Sequence, residues 1–453
     1  MRAFSTLNRL RNVSSRGLVK LDRKFLKIVG PDSAKFLNGL LTTKMVPSFE
    51  KKNLTTISNS DLQDQENSKA LKLSQSQMET ENWGILHEDE TFDSTEPERL
   101  GIRRDGRYSM LLNSRGRVLS DLFVYPTPYV AKELEGPSTN GPEYLLELGP
   151  KNFGQIQMML KLHKLRAKIN ISVAKYNSWF YYDHSSDFDE FFNVLQSKYL
   201  NNGISKSPES AADAASQVSK ELIHQKILDA TSLSQLEGFA VDDRAPGFGL
   251  KFVLPEDAEL TSLNDVLVDP SEYNTLRILA GISEASDFVS DTLPFENNLD
   301  YMNGINFNKG CYVGQELTIR TYHSGVIRKR VMPFQIFRIG DPITNEMIPT
   351  DDDYGLSHQD KLQIIKPPSA DTEEDAQPSN PFGSKMRKDT KIGEIIKLDK
   401  NIGLAVVYVD KIDDSSAAGA NEFPLVSKEK DINGKFVAKV YRPDWWPQDD
   451  EDI

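Results

Sequence analysis

The apolar residues of this chain follow two patterns, helical spacing in some stretches and alternation with polar residues in others. Helical spacing predicts short helices over residues 36–41 and 153–163, with Asp32 placed to cap the first. Alternation predicts a hairpin over 108–125 and a further strand over 169–173. The first two thirds of the chain therefore mixes helices with strands.

The pattern changes from Val331 onward. Short strand-like runs recur at 392–398, 403–409 and 436–441, separated by turn residues. Regularly spaced short strands of this kind are typical of a small β-barrel or sandwich. We therefore expect a second domain over residues 331–445.

Two stretches lose apolar periodicity altogether. Residues 48–100 and 350–380 are rich in serine, asparagine, glutamine and acidic side chains. Such segments bury too little apolar surface to order themselves, so both are predicted to be flexible surface insertions. The last residues, 446–453, are expected to form an acidic, solubilising tail.

Composition narrows the classes of function. The chain has 453 residues, enough for two or three domains, and no apolar run approaches the roughly 18 residues of a membrane span. A net charge of −13 without a basic and aromatic stripe argues against nucleic-acid binding. The six histidines lack metal-ligand spacing, so no intrinsic metal site is expected. A single cysteine excludes an internal disulfide framework and fits a reducing compartment.

The first twenty residues differ from the acidic remainder. Residues 1–20 contain four arginines and one lysine, several serines and no acidic residue before Asp22. This composition is typical of a mitochondrial transit peptide. The alternative is a basic, disordered N-terminus without a targeting role.

The one cysteine lies in the most distinctive stretch of the chain. Cys311 lies between Gly310 and Gly314, with Lys309 two positions before it. If a helix begins near Val313, the helix dipole and the lysine would favour the reactive thiolate. The alternative is a small buried side chain without chemistry.

Polar residues follow the cysteine at once. Tyr312 and Gln315 are candidates for a pocket beside it. Glu316 and Arg320 are four residues apart and would share one helical face, with the acid on the favourable N-terminal side.

Two charged residues elsewhere are candidates for a site. Asp121 lies within a predicted strand, where a carboxylate is unusual, and either faces a pocket or lies in water on an edge strand. Arg244 either pairs with a carboxylate ligand or with its neighbours Asp242 and Asp243.

The run Lys-Gly-Cys-Tyr-Val-Gly-Gln-Glu at 309–316 resembles the signature of the YgfZ family, which is related to the glycine-cleavage T-protein. Further matches occur in the same order along residues 21–330, with 48–100 left out, and weakly at 403–405 in the barrel. They are 36–42, 112–119 with Asp121, 165–168, 243–244, 276–278 with Gly281, and 293–294 with Glu296.

The resemblance implies an α+β body around a central pocket that can hold tetrahydrofolate, followed by a C-terminal β-barrel. It places Asp121, Arg244, Arg277 and Glu296 with the cysteine stretch in the expected site. Together with the leader, it indicates the mitochondrial branch of the family, whose members are matrix factors that help mature 4Fe–4S proteins such as aconitase and lipoyl-forming enzymes.

A single thiol cannot hold a 4Fe–4S cluster, which normally needs four thiolates. The expected cluster is therefore transient and shared, through Cys311, with a partner such as an A-type scaffold protein.

Two alternatives differ from this assembly factor. One is a folate-dependent aminomethyl transferase with Asp121 as its acid–base group, and the other is a folate-binding scaffold in which Cys311 is structural. T-proteins carry paired aspartates after a Gly-Gly turn, whereas Gly116 here is followed by Asp121 alone. We find no counterpart of the T-protein Gly-Tyr-Thr-Gly-Glu segment either. Both departures favour the assembly factor.

Overall fold

The structure is a computed structural model. It describes residues 13–47, 71–88, 100–130, 141–201, 204–258, 260–366, 390–413 and 419–447.

The body combines strands with helices, as the apolar patterns predict. Its strands are β1 (Arg16–Leu21), β2 (Lys24–Val29), β3 (Ile85–Glu88), β4 (Leu100–Arg103), β5 (Arg107–Leu112), β6 (Val118–Pro126), β7 (Glu143–Leu148), β8 (Asn170–Ala174), β9 (Tyr176–Asp183), β10 (Gly238–Asp242) and β11 (Gly249–Pro255). Its α-helices are α1 (Ser33–Asn38), α2 (Gln75–Thr80), α3 (Phe153–His163), α4 (Ser186–Val194), α5 (Pro208–His224), α6 (Ala230–Ser234), α7 (Pro270–Leu279) and α8 (Gln315–Ser324). A π-helical segment follows α4 at Leu195–Leu200, and 3₁₀ turns lie at Thr261–Val266 and Phe295–Asn297.

Two antiparallel sheets organise the body. One has five strands in the order β5-β6-β7-β2-β8, and the other has four in the order β1-β9-β11-β10. Because strand side chains alternate between faces, β2 contributes Leu26 and Ile28 to the core beneath α3 and Phe25 to the core between the sheets. Likewise β9 directs Phe180 between the sheets and Tyr181 toward α4. The result is a double layer of sheets with helices outside, so the α+β prediction is confirmed.

The C-terminal domain is a closed barrel. Its strands are β12 (Lys329–Arg338), β13 (Leu362–Lys366), β14 (Thr390–Asp399), β15 (Ile402–Tyr408), β16 (Glu422–Ser427) and β17 (Phe436–Val440), in the order β12-β15-β14-β13-β16-β17. Turns of 3₁₀ type lie at His358–Asp360 and Val409–Lys411. Alternate residues of β12, including Met332, Phe334 and Ile336, fill the interior. The predicted barrel is confirmed, and the sandwich alternative is excluded by closure.

The predicted insertion at 48–100 is wrong for residues 71–88 and for Leu100, which begins β4. Residues 71–88 contain α2 and β3, and Trp83, Ile85 and Leu86 are buried in the core beneath α3. The run is short and surrounded by polar residues, so it shows no periodicity, yet its side chains pack against distant strands. The rest of the predicted insertion lies outside the described residues.

The second predicted insertion, 350–380, is wrong for its middle part. Strand β13 lies within it, and Leu362 and Ile364 point into the barrel. Residues 367–380 lie outside the described residues. Trp446, assigned by its position to the acidic tail, is buried in the barrel core, so the tail begins later than predicted.

The predicted leader also needs a boundary change. Residues 16–20 belong to β1, which pairs with β9 and buries Leu18 and Val19. The folded body therefore starts before residue 20. Residues 1–12 lie outside the described residues, and the leader stays a prediction for them.

Candidate functional site

Cys311 lies in the connection that precedes α8, and it is exposed to solvent. This excludes the alternative of a buried, inert side chain. The neighbouring residues are held on both sides, whereas the thiol itself faces water.

Lys309 anchors the N-terminal side of this connection. Its ammonium group donates to the carbonyl oxygens of Asn38 (2.9 Å), Leu41 (2.6 Å) and Thr43 (3.0 Å), just after α1. These bonds use all three ammonium hydrogens. The nitrogen also lies 4.4 Å from the ring centroid of Tyr312. Lys309 therefore links the cysteine loop to residues 38–43, more than 260 positions earlier in the sequence.

The environment of Lys309 is short of water and rich in positive charge. Burial, together with the nearby Arg107 and Lys44, lowers the pKa of Lys309 to about 7. The three carbonyl acceptors favour the charged form and oppose this effect.

Two hydrogen bonds and one glycine fix the C-terminal side. The Val313 amide donates to the carbonyl of Gly39 at 3.0 Å, and the Tyr312 amide donates to Oε1 of Gln315 at 3.1 Å. Gly314 adopts a left-handed φ of +83°, and its Cα lies so close to the β5–β6 turn that a Cβ there would be 2.5 Å from the Asn113 carbonyl oxygen. The turn, α1 and α8 therefore meet at the cysteine.

Helix α8 begins at Gln315, two residues after the predicted start, with Gly314 at its N-cap. Glu316 and Arg320 are both exposed, and within the described part of the chain no ion pair joins them. Both residues lie in α8, so the prediction that they share one helical face is confirmed, but their charged groups are not paired among the described residues.

Asp121 is buried in β6, an inner strand of the five-stranded sheet. Its Oδ1 accepts a hydrogen bond from the Ala285 amide at 2.8 Å. Burial and the carboxylate of Glu284 raise the pKa of Asp121 to about 6, while Arg23 and Arg244 act in the opposite direction. The edge-strand alternative, with Asp121 in water, is wrong.

Arg244 is fully buried and satisfied within the protein. It donates to both carboxylate oxygens of Asp242 (2.8 and 2.7 Å), to Glu284 (3.1 Å) and to the hydroxyl of Tyr273 (2.9 Å). Of the two alternatives for Arg244, the structure has the local pair, with Asp242.

Arg277 and Glu296 are likewise engaged internally. Arg277, in α7, is buried and pairs with Asp287 at 2.5 Å. Glu296 accepts from the Leu293 amide at 2.9 Å and so closes the turn before the 3₁₀ helix. Asp269 is the N-cap of α7 and accepts from the Ser271 amide.

Asp121, Arg244 and Arg277 belong to a buried ionic network that sequence reasoning missed in large part. Its further members are Arg23, Glu147, Lys251, Glu284 and Asp287. They lie more than a hundred residues apart in several cases, and each looks like an ordinary surface charge in the sequence. No local pattern distinguishes them.

The network bears on the expected folate pocket. Each of the four side chains that the resemblance assigns to it, Asp121, Arg244, Arg277 and Glu296, has a partner within the protein. Three of the four are buried. Folate would therefore have to compete with internal contacts for the same side chains.

Other classes of site are also limited by the structure. Among the residues described, no group of three or more histidine, cysteine and acidic side chains could hold a metal ion. In the same part of the chain, no helix is both long and apolar enough to cross a membrane.

Comparison with known proteins gives a consistent set of relatives. Residues 328–448 match the family described as the CAF17 C-terminal β-barrel domain. The chain is 34% identical to the mitochondrial iron–sulfur cluster assembly factor IBA57 homolog of Meyerozyma guilliermondii, covering 95% of this chain and 99% of that protein. It is 32% identical to the homolog of Debaryomyces hansenii (96% and 99% covered) and 28% identical to IBA57 of Saccharomyces cerevisiae (94% and 88%).

Among solved structures, the chain is similar to the glycine cleavage system aminomethyltransferase T of Bartonella henselae. The TM-score is 0.48 and the sequence identity is 12%, covering 94% of this chain and 85% of that one.

Proposed function

The chain belongs to the IBA57 family of iron–sulfur cluster assembly factors, and on that premise we propose that it supports the maturation of 4Fe–4S proteins in the mitochondrial matrix. In this proposal Cys311 shares a cluster with an A-type scaffold protein. The clients are enzymes of the aconitase and lipoyl synthase type.

The presentation of Cys311 is the observation that carries the proposal. The thiol is exposed, while the residues on either side are tied to α1 and to the β5–β6 turn. A thiol held in this way can reach an atom on another protein without a large loss of backbone freedom on binding. An internal catalytic residue would instead face a closed pocket.

The number of thiolates that a 4Fe–4S cluster needs determines how Cys311 can bind it. A 4Fe–4S cluster normally takes four thiolates, and this chain has one cysteine. Cys311 would lose its proton to solvent and form one iron–sulfur bond, with the partner supplying the other ligands. Transfer then requires that the bond to Cys311, and each bond to the partner's ligands, be exchanged for a ligand of the client. The cluster is cargo and not a resident cofactor.

Lys309 acts as a positioning residue in this scheme. Its hydrogens are engaged by three backbone carbonyls, so it fixes the loop. Arg107 and Lys44 lie close enough to affect it, which puts positive charge behind the loop. A cluster bound by thiolates is anionic, and that field favours it.

The aminomethyl transferase is the weaker alternative. Its acid–base candidate, Asp121, is buried and bonded to the backbone of Ala285. The other side chains named for folate are paired internally. No contact within the described residues favours this alternative.

Cys311→Ala in cells that contain only the variant tests the proposal. Aconitase activity in the matrix should be lost while the purified variant keeps its thermal midpoint, because an exposed side chain contributes little to stability. Ser324→Ala, an exposed change at the far end of α8, is the matched control and should support normal activity. Normal aconitase activity with Cys311→Ala would refute a working thiol.

A further inference from the structure

Helix α3 exposes a stripe of large apolar side chains. Met158, Leu162 and Leu165 are 64%, 66% and 88% exposed. Met158 and Leu162, four residues apart, share one side of α3, whereas Phe153, Ile156 and Leu160 bury the other, and Leu165 follows two residues after the helix ends. Scattered apolar residues on a surface need no explanation, but a contiguous stripe marks an interaction site.

Leu165 combines an unfavourable backbone conformation with an exposed apolar side chain. It has a left-handed φ of +43° just after the end of α3, where glycine or asparagine is normally found. A non-glycine residue in this conformation costs about 1–2 kcal/mol. The leucine side chain is 88% exposed, so burial within this chain does not offset that cost. A contact that buries the side chain against another molecule would offset it.

A groove of about 450 Å³ runs from the end of α3 to the cysteine loop. Phe36, Leu40 and Val313 give it an apolar lining, and Lys35, His163 and Arg166 line it with polar groups. Val313 is two residues from Cys311 and is bonded to Gly39. The groove therefore reaches the loop that carries the thiol.

The charge of this region is opposite to that of the whole chain. Lys161, Lys164, Arg166 and Lys168 border the stripe, although the chain carries a net charge of −13. The acid in the groove lining, Asp32, accepts from the Lys168 amide at 2.7 Å, so its carboxylate is already engaged.

We propose that the exposed side of α3 and the adjoining groove form the docking face for the protein that shares the cluster with Cys311. The docking face comprises Met158, Leu162, Leu165, Lys35, Arg166 and Lys168. It fits a partner whose cluster is surrounded by acidic and apolar side chains. This inference rests on the proposed function and deepens it.

The geometry favours a protein over a lipid surface. A basic and apolar helix also suits an anionic bilayer. However, a flat bilayer cannot fill a groove that reaches the Cys311 loop at Val313, whereas a protein loop can enter it and bring its thiolates toward the cysteine. Membrane binding is an outcome of the experiment.

Two variants and two controls separate the alternatives. Leu165→Asn removes the apolar anchor and suits the left-handed backbone, so the variant should fold at least as well as the wild type. Arg166→Glu combined with Lys168→Glu reverses the charge. Ile339→Asn, at a residue that is 59% exposed in the barrel domain, is the apolar control. Lys220→Glu with Lys428→Glu is the charge control, since both lysines are exposed elsewhere.

Binding of the purified, cluster-loaded A-type scaffold protein is measured by titration calorimetry under anaerobic conditions. Both docking-face variants should weaken binding by about tenfold or more, the size of a typical interface anchor, and the controls should not. The charge variant should also lose most of the salt dependence of the association rate. Unchanged affinity in both variants would overturn the docking face.

Three further outcomes are distinguishable. If the variants lose binding to anionic phospholipid vesicles and keep scaffold binding, the face belongs to a membrane. If they only abolish self-association in sedimentation, it belongs to a second copy of the chain. Either result overturns the proposal. Cys311→Ala should bind the scaffold but fail to share the cluster, so full cluster sharing by this variant would refute the proposed function without touching the docking face.

Discussion

Replacing Gly314 by alanine should deform the loop that presents Cys311. A Cβ at this position would lie 2.5 Å from the Asn113 carbonyl oxygen and 2.8 Å from the Cβ of Leu112. Neither atom can move unless the β5–β6 turn shifts. The backbone conformation, with φ at +83°, also disfavours any side chain.

The two effects can be given magnitudes. The left-handed conformation costs about 1–2 kcal/mol for alanine. Forcing a methyl group into a filled space typically costs about 1–3 kcal/mol. Together they predict a loss of about 2–5 kcal/mol, which corresponds to a decrease of roughly 3–8 °C in the thermal midpoint of a body of about 300 residues.

Gly310→Ala is the matched control on the other side of the cysteine. The nearest atom to a Cβ there is Nδ2 of Asn38 at 3.9 Å, and Gly310 does not have a positive φ. This variant should be as stable as the wild type or slightly more stable, because alanine restricts the unfolded chain. Thermal scans and matrix aconitase activity should both separate the two variants. Equal midpoints for Gly314→Ala and Gly310→Ala would refute the loop geometry.

Three other perturbations have defined outcomes. The pKa of Asp121 is raised to about 6 in the folded state, so the native protein binds an extra proton between about pH 4 and 6. Its unfolding free energy should therefore fall as the pH rises through that window. Asp121→Asn should remove this pH-dependent component in urea titrations, and an unchanged pH profile would contradict the prediction. Asp287→Ala should cost about 3–5 kcal/mol in the same assay, since it leaves the buried Arg277 cation without its carboxylate; a loss below 1 kcal/mol would show that the pair is dispensable. Sequencing the N-terminus of the mitochondrial protein should find cleavage before Ser14, whose amide and hydroxyl both donate to Glu272 at 3.0 Å; an intact Met1 or a start beyond Leu21 would contradict this.

The sequence predicts most of the local structure and the position of the thiol. The hairpin that becomes β5 and β6 is visible because alternation and a Ser-Arg-Gly-Arg turn coincide. The barrel strands β14, β15 and β17 are visible for the same reason. Cys311 stands out because it is the only cysteine and is flanked by glycines. The pattern suggests a sharp backbone turn at both Gly310 and Gly314, but of the two only Gly314 has a left-handed φ.

The contacts that complete the site are not predictable in this way. Lys309 is tied to the carbonyls after α1, more than 260 residues earlier, and backbone acceptors carry no side-chain signal. Arg244 and Arg277 look like ligand-binding groups until the buried Asp242 and Asp287 are seen beside them. The sequence pattern places β3 and β13 in insertions because their apolar runs are short. Only long-range packing makes these segments strands.

The most direct test of the account is to mix the purified mature chain with its A-type scaffold protein, iron and sulfide under anaerobic, reducing conditions, and to follow the absorption of the cluster on the isolated complex. The account predicts a cluster that persists in the isolated wild-type complex and in the complex with Gly310→Ala, and a cluster that is lost much faster from the complex with Cys311→Ala, although both proteins still associate. An equally stable cluster in the Cys311→Ala complex would contradict the claim that the thiol of Cys311 is a cluster ligand.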